Sequence, residues 1–149
     1  MSTESGRVAG SGPTASRPAG SRPAARACPC GSGAGYTECC GPLHDGGSAP
    51  TAEALMRSRY SAYALGLDAY LRDSWHPSTR PLAIELDDGT QWRRLQIVDV
   101  DRGGADDDVG VVEYRAGYRN PRGAAVLHER SRFRRENGRW LYVDGDMLT

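Results

Sequence analysis

Residues 124–144 read AAVLHERSRFRRENGRWLYVD, and one dipeptide inside this stretch sets the fold. Asn137-Gly138 is the strongest short hairpin signal, because both central positions of a type I′ turn need a positive φ. With these two residues as the turn, Arg135 opposes Trp140, Phe133 opposes Tyr142 and Ser131 opposes Asp144. The preceding run, VGVVEYRAGYR at 109–119, alternates in the same way. Taking NPRG at 120–123 as a four-residue loop, Tyr118 opposes Ala125, Ala116 opposes Leu127, Tyr114 opposes Glu129 and Val112 opposes Ser131. Opposed residues share a face, so the two hairpins agree with each other. One face carries Val112, Tyr114, Ala116, Tyr118, Leu127, Phe133, Trp140 and Tyr142, with Glu129 and Ser131 among them. The other carries Glu113, Arg115, His128, Arg130, Arg132, Arg134, Leu141 and Val143, with Glu113 opposite Arg130. The first is the core face; the second is largely solvated.

Upstream, residues 92–101 form another strand, followed by an acidic loop at 103–108. Before residue 80 the period is helical. Thr51 is a helix N-cap, Ala52, Met56, Tyr60, Tyr63 and Leu67 recur at helical spacing, and Gly66 ends the helix. Asp68 caps a second short helix carrying Tyr70, Leu71 and Trp75, which Pro77 ends. Two helices laid on the aromatic face of a curled antiparallel sheet make an α+β cone spanning residues 51–149. The open end of a cone is a natural pocket. Its candidate lining is Trp75, His76, Tyr114, Tyr118, Glu129, Ser131, Phe133, Trp140 and Tyr142. Glu129 is a carboxylate on an apolar face, so it needs partners, and Tyr114 opposite it is a donor. An enzyme built on this cone would use Glu129, His76 or Asp144 as acid/base groups in an open cavity. A cone filled by Phe133 and Trp140 would not.

All four cysteines lie in CPCGSGAGYTECCG, residues 28–41. Four clustered thiols suit a tetrahedral zinc site closed by Cys28, Cys30, Cys39 and Cys40. Gly31-Ser32-Gly33 and Gly35 allow the reversal that returns the second pair to the first. A disulfide between adjacent Cys39 and Cys40, or between Cys28 and Cys30, would be strained. Cross-paired disulfides are feasible but suit an oxidising compartment. His44, four residues past Cys40, is a further ligand candidate or an ordinary loop histidine. Residues 1–26 are mostly Ser, Gly, Ala, Pro, Thr and Arg, with Val8 the only large aliphatic residue after Met1, which reads as a disordered tail. Residues 45–50 are a linker.

The cysteine stretch resembles the SEC-C motif, a small zinc-binding module of bacterial proteins. With it, CCGPLHDG, TAEALMRSRYSAYALG, YLRDSWHPSTRP and LHERSRFRRENGRWLYVDGD resemble the YchJ family, in that order along the chain. The resemblance runs from about residue 27 to the C-terminus. It implies a SEC-C zinc motif over 27–44 and a cone similar to nuclear transport factor 2. It matches Cys28, Cys30, Cys39 and Cys40 to metal-ligand positions, with zinc in a structural role, and brings no biochemical activity. Many SEC-C motifs carry lysines between the cysteine pairs. Here the equivalent residues, Ala34 to Glu38, include no basic side chain, which points away from the chaperone-docking role of the translocase ATPase's module. The sequence also reaches Thr149 without a second such motif.

The chain has 149 residues and zero formal net charge, so no global field favours nucleic acid or an anionic membrane. No apolar run is long enough for a membrane span and no secretory signal is present, so a cytoplasmic protein is expected. Three readings of function follow. The first is a zinc-ordered docking module for a protein partner. The second is a small-molecule enzyme using the cone. The third is association with RNA or the ribosome through Arg130, Arg132 and Arg134 on the outer face. Arg57 and Arg59 of RSRY are candidates for tying the first helix to the linker or the zinc segment.

Overall fold

Arg26–Leu86 and Gly89–Leu148 are the residues described in this computed structural model. The tail expected over 1–26 lies, except for Arg26, outside them. A single turn of 3-10 helix at Tyr36–Glu38 leads into α1 (Cys40–His44). Two more helices follow, α2 (Ala52–Leu65) and α3 (Asp68–Asp73). The remainder is a meander of β1 (Gln91–Arg102), β2 (Val109–Asn120), β3 (Gly123–Glu136) and β4 (Arg139–Met147), hydrogen-bonded in that order and antiparallel throughout.

The ends of α2 are where the side chains dictate. Thr51 Oγ1 accepts a hydrogen bond from the Ala54 amide at 3.0 Å, and Gly66 terminates the helix in the left-handed region at φ 77°. Helix α3 is shorter than expected: it ends at Asp73, and Leu67, not Asp68, is its N-cap. Trp75 therefore lies outside the helix. The Ser74 carbonyl accepts from the Tyr142 amide at 2.9 Å and the His76 amide donates to the Tyr142 carbonyl at 2.7 Å. This backbone bridge to β4 captures the chain before another helical turn can form.

Helix α2 meets the sheet over two glycines. The Ala52 amide donates to the Gly103 carbonyl at 2.9 Å. A Cβ on Gly103 would lie 2.7 Å from the Ala52 Cβ, and one on Gly110 would lie 2.6 Å from the Gly103 Cα. The N-terminal turn of the helix can sit this low only because neither residue has a side chain.

The β2–β3 register is the expected one, with Tyr114 opposite Glu129 and Val112 opposite Ser131. The loop is tighter than expected, since Asn120 itself pairs with Gly123. The β3–β4 pair starts as expected, with Phe133 opposite Tyr142, and then slips at Val143. From there Arg132 opposes Asp144 and Ser131 opposes Gly145. The expected pairing of Ser131 with Asp144 is thereby corrected by a β-bulge, which moves Asp144 to the outer face. Val112, Ala116, Phe133 and Trp140 fill the inner face with 0–2 % of their surface exposed.

Candidate functional site

Cys28, Cys30 and Cys40 are buried and Cys39 is half-buried, and all four are free thiols. Their sulfurs lie within 4.8 Å of one another. Cys30 Sγ is 3.6 Å from Cys39 Sγ, which is 4.0 Å from Cys40 Sγ. A tetrahedron with metal–sulfur bonds of about 2.3 Å has an edge of about 3.8 Å, so the spacing fits four thiolates around one ion. Hydroxyls complete the surroundings. Ser32 Oγ is 3.1 Å from Cys39 Sγ, and Ser61 Oγ donates to Cys40 Sγ at 3.3 Å while lying 3.6 Å from Cys28 Sγ. Such donors orient and stabilise sulfur ligands. Cys30 and Cys40 differ in acidity. The neighbouring Cys40 thiol pulls Cys30 down from 9.0 to about 4, and the same proximity together with burial pushes Cys40 up.

The cysteine segment is bolted to α2 rather than hung from a linker. Cys28, Cys30 and Cys40 share one hydrophobic cluster with Leu55, Met56, Phe133 and Trp140. Arg57 Nη1 donates to the Cys30 carbonyl at 3.0 Å, while its Nε meets Glu53. His44 Nε2 is 2.8 Å from the Ser58 carbonyl, which can only accept, so this nitrogen carries the proton. His44 Nδ1 then accepts from the Tyr36 hydroxyl at 2.6 Å. Both ring nitrogens are engaged, and His44 acts as a strut between the cysteine segment and the helix. Sequence reasoning missed Ser61, which had a signal: it stands one helical turn from Arg57 on the same helix.

Between α2 and the inner sheet face lies a cavity of about 320 Å³. Of the expected pocket residues, Trp75, Tyr114, Glu129, Ser131 and Tyr142 line it. Phe133 and Trp140 are packed in the core beside it, and Tyr118 lies tilted against Trp92 with centroids 5.3 Å apart. His76 lies at the junction. Its Nδ1 accepts from the Ser78 amide at 3.1 Å, so its Nε2 donates to Glu136 at 2.9 Å. Neither His76 nor Asp144 is brought to Glu129. Asp144 faces outward, 2.6 Å from Arg132 Nε.

Glu129 is 6 % exposed and accepts from three hydroxyls: Tyr114 at 3.2 Å, Tyr142 at 2.9 Å and Ser131 at 2.8 Å. Burial, followed by the charge of Glu129, pushes both tyrosines up, so they stay protonated donors. The residue that sequence reading placed elsewhere is Arg59. It is 4 % exposed, lines the cavity, and donates from Nη1 to the Leu71 carbonyl at 2.9 Å and to Ser74 Oγ at 2.7 Å. Its guanidinium carbon stands 4.6 Å from the Tyr142 ring centroid and 4.9 Å from that of Trp75. A signal existed: Arg59 falls three residues after Met56 and four before Tyr63, on the helix stripe that turned out to face inward.

On the outer face Arg130 and Arg132 are closely partnered, while Arg134 is exposed and comes only within 4.0 Å of Glu136. Arg130 bonds Asp99 and Glu113, both at 3.0 Å, and Arg132 bonds Asp144 and Asp146. Among the described residues no helix is long and apolar enough to cross a membrane.

Comparison with known proteins agrees with this geometry. A family model for the YchJ middle domain, described as similar to nuclear transport factor 2, matches residues 51–145. A UPF0225 protein of Streptomyces coelicolor is 50% identical over 122 residues, covering 81% of this chain and 95% of that protein. A second, from Corynebacterium glutamicum, is 47% identical, covering 80% and 96%. The solution structure of a SEC-C motif containing protein from Rhodopseudomonas palustris superposes with a TM-score of 0.72 at 35% identity, covering 82% of this chain and 98% of that one. A crystal structure of a SEC-C motif containing protein from Psychrobacter arcticus gives 0.68 at 27% identity, with 85% of each chain covered. An α+β cone matched by the family model, carrying a four-cysteine cluster of SEC-C type at its head, places this chain in the YchJ family.

Proposed function

We propose that the chain is a protein-docking module in which one structural zinc ion fixes a preformed surface on the end of the cone. Cys28, Cys30, Cys39 and Cys40 would hold the ion, and four thiolates leave no open position for substrate water. The observation that carries this reading is the contrast at the cysteine loop. The sulfurs are buried or half-buried at tetrahedral spacing, while Gly31–Ala34, Thr37 and Glu38 above them are exposed. A loop fixed from beneath meets a partner with little loss of conformational freedom on binding. A reduced four-thiol site suits the cytoplasm. Two of the three stripe arginines, Arg130 and Arg132, are taken up by carboxylates, which leaves that surface less suited to a phosphate backbone than the unpaired stripe a nucleic-acid binder uses.

The test compares three baits in cells: wild type, a Cys39→Ser/Cys40→Ser variant, and a Thr37→Arg/Glu38→Arg variant. Metal content is measured on each. The wild type is expected to carry one zinc per chain and capture a protein partner. The cysteine variant loses both, and the arginine variant keeps the zinc and loses the partner. Identical partners for all three baits would sink the proposal.

A further inference from the structure

The cavity holds two buried charges whose surroundings are unequal. Glu129 has three hydroxyl donors for its roughly four lone-pair sites. Arg59 has five N–H donors, and among the described residues only Nη1 is hydrogen-bonded to protein. Its acceptors there are a carbonyl and a hydroxyl, both uncharged, and among the described residues no ion pair reaches it. The Tyr142 and Trp75 rings flanking the guanidinium offer only their π faces. A buried guanidinium without an anionic partner is costly, and burial pulls its proton affinity down. The lone pairs of Glu129 are thus largely taken by hydroxyls, whereas most N–H donors of Arg59 are not, so the unmet hydrogen-bonding capacity in this cavity is that of the guanidinium.

The walls define the rest of the occupant. Tyr60, Tyr63, Trp92 and Leu127 line the cavity with apolar surface. One guanidinium, and no second cation, lines it. That matches one negative charge on a planar two-oxygen group, which guanidinium meets with two parallel hydrogen bonds. A phosphate, with more charge and more acceptors, would exceed what one arginine supplies. A cation would meet Arg59 itself.

We propose that this cavity is a binding site for a small aromatic monocarboxylate, its carboxylate on Arg59 and its ring among Tyr60, Tyr63 and Trp92. The site is separate from the thiol cluster and does not depend on a docking role for it. Glu129 is then a structural group that fixes Tyr114 and Tyr142, and Arg59 is the binding residue.

The test uses the full metal-loaded chain and its tryptophan fluorescence, since Trp75 and Trp92 are in the walls. Three matched probes are titrated: 4-phenylbutyrate, its uncharged amide, and 4-phenylbutylamine. The acid is expected to quench saturably at up to millimolar concentration and to bind about tenfold or more tighter than the amide, with the amine weakest. Arg59→Gln should erase the preference for acid over amide, and Arg59→Lys should retain part of it. Ala116→Leu adds volume at the sheet wall of the cavity and should abolish binding with an unchanged circular dichroism spectrum. Equal binding of acid and amide by the native chain, preference for the amine, no saturable quenching by the acid, or full acid binding by Ala116→Leu would each overturn the proposal. These outcomes decide it even if Arg59→Gln does not fold.

Discussion

The carboxylate of Glu129 occupies the space where a side chain on Gly145 would begin. A Cβ on Gly145 would lie 2.8 Å from Cδ and 2.9 Å from Cγ of Glu129. The bulge at Val143 brings this about, by setting Gly145 rather than Asp144 opposite Ser131. In the uninterrupted register a second carboxylate would have entered the interior beside the first. The slipped register delivers Asp144 to Arg132 instead and gives Glu129 room for its three hydroxyls.

Gly145→Ala is expected to destabilise the chain by about 1–3 kcal/mol, the ordinary range for forcing extra volume into a filled site. Denaturant unfolding checks the value. Added to Glu129→Ala, the same change should cost much less than it does alone, because the colliding group is gone. Full additivity in that double-mutant cycle would show that Gly145 is needed for some other reason.

His44→Phe removes the strut between Tyr36 and Ser58. Loss of both hydrogen bonds should cost about 1–3 kcal/mol and make the chain between Ala27 and His44 easier to cleave by protease. In the wild type, nitrogen-detected NMR should find the proton on Nε2. A proton on Nδ1 would contradict the geometry, since the Ser58 carbonyl cannot donate.

Chelation should lower the melting temperature of the whole chain by roughly 10 °C or more, because metal binding energy is folding energy in such segments. Helix signal at 222 nm and tryptophan fluorescence should report one shared transition. The reason is that Cys28, Cys30 and Cys40 lie in the same cluster as Leu55, Phe133 and Trp140. Two separate transitions would mean that the cysteine segment melts by itself.

Arg132, whose Nη1 lies 2.8 Å from Asp146, holds that carboxyl below its usual 3.8. The folded value is lower than the unfolded one, so the contribution is complete above the unfolded value and is lost as pH falls through the folded value. Asp146→Asn should therefore be slightly less stable than wild type near neutrality. The two should converge at acid pH, below the depressed value. A gap that persists there would rule out the ion pair as its cause.

Much of this protein is legible from alternation and turn chemistry. The NPRG turn at 120–123 with the period of two determined the β2–β3 pairing, and Asn137-Gly138 the start of β3–β4 and with it the aromatic inner face. Thr51 and Gly66 bounded α2, because a cap and a left-handed stop act within one or two residues of chain. The four cysteines clustered around glycines pointed to one site, and the fold brings their sulfurs within 4.8 Å of one another, a spacing compatible with metal binding. All of these are local or nearest-strand effects. Three features depend on contacts between distant segments, and only the tertiary structure decided them. The bulge at Val143 is favoured by what lies across the sheet, where Glu129 must avoid a second carboxylate and Arg132 accepts one. The inward course of Arg59 depends on the Leu71 carbonyl and Ser74 hydroxyl arriving from the next helix. The union of the cysteine segment with α2 through His44, Arg57 and Ser61 rests on partners 14 to 33 residues apart. Pattern shows which side chains share a face; where a buried charge finds its partners is settled only when the elements meet.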